Sequence, residues 1–101
     1  MTIEVEVTQE IIDEATKNQG KDDYDVCQEC VVAVALVKAG LARRDPEDSF
    51  SFSVMNSLVR IDNVYYEPDE ETKRRIRWFD MREELDPWVI KLDKFDYTDY
   101  D

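Results

Sequence analysis

The chain lacks histidine and holds only two glycines, three prolines and two cysteines in 101 residues. Without histidine it is missing the side chain that most often acts as general base or metal ligand near neutral pH. Ser-His, Cys-His and His-metal arrangements are therefore excluded within this chain. Gly20 and Gly40 stand far apart, so there is no glycine-rich phosphate loop. The longest apolar run, residues 31–37, falls well short of the roughly 18 residues that a membrane span needs. The opening Met1, Thr2, Ile3, Glu4 carries no basic region and no apolar region behind it. That start points away from secretion and toward the cytoplasm. Cys27 and Cys30 are then expected to be reduced.

What the chain has in excess is negative charge. Twenty-five acidic residues oppose 13 basic ones, a formal net charge of -12. Such a field repels nucleic acid and anionic membranes over about a Debye length, so neither is expected as a direct partner. A basic protein surface is the partner that this charge fits, and solubility is its plainest use. The length suits one domain, which at this size buries about two thirds of its unfolded surface.

Local patterns predict an α+β fold. Residues 3–7 alternate strictly between apolar and acidic, the pattern of a half-buried strand. Thr8 follows as a helix N-cap, with Ile11, Ile12 and Ala15 at helical spacing, and Gly20 ends that helix. Asp25, with Gln28 three residues on, has capping-box spacing for a second helix from about Val26 through Ala39. Gly40 is its C′ residue. Residues 31–37 leave almost no polar face, so this helix is read as the centre of the core, a strand being the alternative. Residues 43–48 read as a surface loop. Phe50, Phe52 and Val54 alternate with serines as a strand, and Asp62 with Asn63 reads as a two-residue hairpin turn after it. Pro68 opens a third helix of roughly 69–84, with Thr72, Ile76 and Phe79 on one face. A last strand carries Trp88, Ile90 and Leu92 on one side. The order is β-α-α-β-β-β-α-β: a mostly antiparallel sheet of four to five strands with about three helices. Residues 1–92 form the domain, and residues 93–101 an acidic, aromatic tail.

Together the opening Val5, Val7, Thr8, Gln9, Glu10, Ile11, Ile12, the helix from Cys27 and Cys30 into Val31, Val32, Ala33, Val34, Ala35, Leu36, the Ala39 and Gly40 behind it, the later Ile76, Arg77, Phe79, Asp80, and Pro87 with Trp88 resemble a group of small reading frames of bacteriophages and some bacteria. Val31 stands where that pattern has proline, and the stretch after Leu92 is an addition to it. The group carries no function onto any residue here. The resemblance implies a phage-like context, and hence a host protein as partner and the host cytoplasm as location.

Three constellations carry candidate chemistry. Cys27 and Cys30 form a C-x-x-C at a helix start, where the helix dipole can lower a thiol pKa. Zinc needs about four ligands, so two thiols would require carboxylates or a second chain. The plain reading is a structural pair, with no cofactor. Lys73, Arg74, Arg75 and Arg77 form a basic run, but Glu70 with Arg74 and Glu71 with Arg75 have ion-pair spacing, which reads as a solvated helix face. Asp93, Asp96, Asp99 and Asp101 interleave with Phe95, Tyr97 and Tyr100. Acids can steer and rings can supply contact area, so this tail is the candidate partner-binding element. Asp22, Asp23 and Asp25 lack the spacing of a calcium loop. Carboxylate pairs such as Glu83 with Glu84 are too common here to argue for catalysis. The reading is a non-enzymatic acidic protein that binds a basic host protein, as an inhibitor or a mimic of DNA. A thiol or metal accessory protein is the alternative. Monomer and dimer are both open.

Overall fold

In the computed structural model, residues 2–44, 47, 52–55 and 57–95 are described, except for the side chain of Cys27. The alternating start is strand β1 (Thr2–Val7), and helix α1 (Gln9–Gln19) follows it at once. Thr8 caps α1 through its side-chain oxygen, which accepts from the Ile11 N–H at 3.3 Å. The second predicted helix is two: α2 (Val26–Glu29) and α3 (Val31–Lys38). Strands β2 (Phe52–Val54), β3 (Val59–Ile61) and β4 (Val64–Pro68) come next, then α4 (Glu70–Asp80) and β5 (Trp88–Phe95).

The five strands form one antiparallel sheet in the order β1-β5-β4-β3-β2. The element order is the predicted one, with the second helix broken in the middle. One sheet face buries Val5, Val7, Trp88, Ile90, Leu92, Val59, Ile61, Phe52 and Val54 under the helices. On the opposite face Glu4, Glu6, Val89, Lys91, Asp93 and Glu67 are exposed.

Helix α3 is the centre of that core. It touches α1, α2, α4, β1 and β2, and residues 31–36 are all buried. Each valine costs about half a kcal/mol of helix propensity against alanine. Burying its side chain returns about 1.5–3 kcal/mol, so packing decides for helix over strand. The apolar run outlasts the burial: Val37 is already exposed. Gly40, at φ 76°, occupies C′, and Leu41 N–H bonds back to the Leu36 carbonyl at 3.0 Å.

The break falls at Cys30, whose extended backbone (φ -71°, ψ 174°) makes it the N-cap of α3. Val31 is thus the first helical residue, a position that accepts proline because its N–H has no helical partner. The capping-box expectation at Asp25 is corrected as well. Glu29, not Gln28, reaches back to the Asp25 N–H, at 3.2 Å. Gln28 crosses to β2 and donates from Nε2 to the Phe52 carbonyl at 3.0 Å.

Two further boundaries differ. Helix α4 stops at Asp80, not 84. Its buried stripe of Thr72, Ile76 and Phe79 would next bring the charged Glu83 inward. Instead Arg82 turns left-handed (φ 61°), and Glu83 N–H bonds to the Trp78 carbonyl at 2.9 Å. Strand β5 runs past Leu92 to Phe95, because Asp93, Lys94 and Phe95 find partners in Glu67, Tyr66 and Tyr65 of β4. The predicted strand residues 49–51 lie outside the described residues.

Candidate functional site

Acidic side chains converge around α1. On β1, Glu4 and Glu6 alternate with the buried Val5 and Val7, so the pleat aims both carboxylates at solvent. On α1, Ile11, Ile12 and Ala15 face the core, which leaves Glu10, Asp13 and Glu14 outside. The connection after α4 returns beside α1 and adds Glu83, Glu84 and Asp86. Two grooves flank the helix. One runs between α1 and the 82–86 connection, floored by Ile12, Phe79 and Leu85 and walled by Asp13, Glu83, Glu84 and Asp86. The other runs between β1 and α3, floored by Val5, Ile11 and Ala35 and edged by Glu4, Glu6 and Leu41. Their cations are few: Arg82 in the first, and in the second Lys38, which is paired to Glu14 at 3.2 Å. Gln19 holds the first groove in shape by donating to the Phe79 carbonyl at 2.7 Å.

A second electrostatic centre is buried. Glu29 is 2% exposed, yet its carboxylate meets Lys21 Nζ at 2.8 Å and Arg44 at 2.8 Å. Burial pushes its pKa up. The Lys21 contact, the Asp25 N–H and the Arg44 charge pull it down and prevail, so it lies below the ordinary carboxylate value. This centre pins the 20–25 turn, α2 and the segment after α3 to one point. Tyr24 lies near it, and its hydroxyl is buried with no hydrogen-bond partner among the described residues. Burial, reinforced by the Cys30, Asp80 and Glu29 charges, raises the phenol pKa.

The candidates singled out on sequence are placed as follows. Cys30 is 2% exposed, and makes no side-chain capping bond at the head of α3. The side chain of Cys27 lies outside the described residues. Among the described residues no group of three His, Cys, Asp or Glu could hold a metal ion. Lys73, Arg74 and Arg75 of the basic run are engaged within their own helix and its neighbours, and Arg77 is exposed. Arg75 pairs with Glu71 at 3.2 Å, donates to the Asp86 carbonyl at 2.8 Å and lies 5.0 Å over the Trp88 ring. The other predicted pair is not formed: Glu70 meets Lys73 at 3.5 Å, while Arg74 sits over Trp78.

Of the tail, Asp93 and Phe95 belong to β5. Asp93 accepts a 2.6 Å bond from the Thr2 hydroxyl, and Phe95 lies opposite Tyr65, whose ring stacks under the Arg60 guanidinium. Asp96, Tyr97, Asp99, Tyr100 and Asp101 lie outside the described residues. The acidic surface around α1 was not singled out on sequence. Its signal was there: residues 2–14 hold five acids and no base. Among the described residues no helix is long and apolar enough to cross a membrane. No protein-family model matches the chain, and no curated protein and no solved structure matches it.

Proposed function

We propose that this protein is a non-catalytic binding module that docks on a basic surface of another protein. The observation that carries this reading is the gathering of carboxylates from β1, α1 and the 83–86 connection around two shallow apolar-floored grooves. Strand β1, the adjoining α1 and the sequence-remote 83–86 connection bring acids to the borders of these grooves, and few cations stand among them. Carboxylates there steer a positive partner, and the groove floors supply apolar contact. By composition Phe95, Tyr97 and Tyr100, with the acids between them, suit the same kind of partner. The phage-like resemblance makes a host protein the natural partner, and occlusion of a nucleic-acid-binding surface the natural consequence. The thiol reading gains no support from Cys30, whose sulfur is shielded, so it would need Cys27 as the reacting group.

The test is capture from bacterial lysate by the tagged chain at low and high salt, beside an E10Q/D13N/E83Q/E84Q variant. These residues are exposed, so the variant keeps the fold. The expected result is one stoichiometric basic partner, lost in salt and lost with the variant. A partner retained unchanged under both conditions overturns the electrostatic reading.

A further inference from the structure

Strand β1 is an edge. Among the described residues it pairs only with β5, and its other side carries no strand. An edge of six residues leaves a row of backbone N–H and C=O groups open to pairing. The groove between β1 and α3 lies along that free side, with Val5, Ile11 and Ala35 on its floor and Leu41, 40% exposed, on its flank.

We propose, building on the acidic binding reading above, that β1 takes up an extended basic segment of the partner as a sixth strand. The backbone of that segment hydrogen-bonds to the β1 edge. Alternate side chains drop into the groove, and the others lie on the open sheet face beside Glu4 and Glu6. Charge decides the occupant. Glu4 lies opposite Lys91 on β5, but Glu6 lies opposite Val89, an exposed apolar residue. Glu6 therefore has no cation across from it on β5, and a lysine or arginine beside it on the added strand places its charge on that carboxylate. A second copy of this chain fits badly. Antiparallel pairing of two β1 strands about Val5 sets Glu4 against Glu6 twice, and each copy brings a net charge of -12. The edge therefore refuses its own kind and selects an alternating basic and apolar strand.

The experiment uses the full chain and a peptide of alternating lysine and valine, beside the same peptide with every backbone nitrogen methylated. Methylation keeps charge and extension but removes the donors. The expected result is at least about tenfold tighter binding of the unmethylated peptide, with new hydrogen-exchange protection within residues 2–7. An E4Q/E6Q variant, whose exposed changes leave the fold intact, is expected to bind it several-fold more weakly. Equal binding of both peptides overturns strand addition and leaves the acidic reading standing. Binding of neither at low salt overturns both. A free chain that sediments as a dimer with protected β1 amides overturns the choice of occupant.

Discussion

Arg44, in the segment that follows α3, places its guanidinium 2.8 Å from the carboxylate of Glu29, the last residue of α2. The two partners are unequal: the Glu29 side chain is 3% exposed, and that of Arg44 is 40% exposed. Lys21 approaches the same carboxylate from the other side and is 45% exposed.

That inequality sets the cost of each deletion. Glu29→Gln leaves two cations that can turn to water, and is expected to cost about 1–3 kcal/mol. Removing both cations in K21M/R44M strands a buried carboxylate with only the Asp25 N–H, and is expected to cost about 3–5 kcal/mol. Urea unfolding at pH 7 measures both. An order reversed, with E29Q the worse, removes the argument.

The same group makes stability depend on pH. Its folded pKa is depressed, so it stabilises the fold fully above its unfolded pKa of about 4.3. The contribution is lost as pH falls through the folded value. The gap in unfolding free energy between the native chain and E29Q is therefore expected to narrow below about pH 4. A gap constant from pH 7 to pH 3 contradicts the assignment.

Asp62 and Asn63 sit at φ 51° and 67° in the β3–β4 turn, the left-handed pair that a two-residue hairpin requires. Asn63→Gly relieves the remaining Cβ cost and is expected to stabilise by about 0.5–1 kcal/mol, while Asn63→Val costs about 1–2 kcal/mol. Thermal unfolding of both variants reads the sign.

Cys30 is shielded at the head of α3. Alkylation by iodoacetamide, resolved by residue in mass spectrometry, is expected to leave Cys30 unmodified in buffer and to modify it fully in denaturant. Rapid labelling of Cys30 in the native chain refutes its burial and revives the thiol reading.

What was written locally in the sequence holds in the fold. The Thr8 cap, the Gly40 stop, the Asp62–Asn63 turn and the alternation in β1 and β5 all lie where the pattern puts them. Each depends on sterics and hydrogen bonds within a few residues, and those are legible from neighbours in the chain. Tertiary structure decided the rest. Helix breakage at Cys30 follows from Gln28 reaching Phe52 and Glu29 reaching Lys21 and Arg44, partners that no local spacing names. The extension of β5 to Phe95 came from β4, and the place of β1 at the edge from its pairing with β5. The acids of residues 2–14 could be counted in the sequence. That Glu83, Glu84 and Asp86 stand beside them could not, because their meeting is set by how α1 and α4 pack on the sheet.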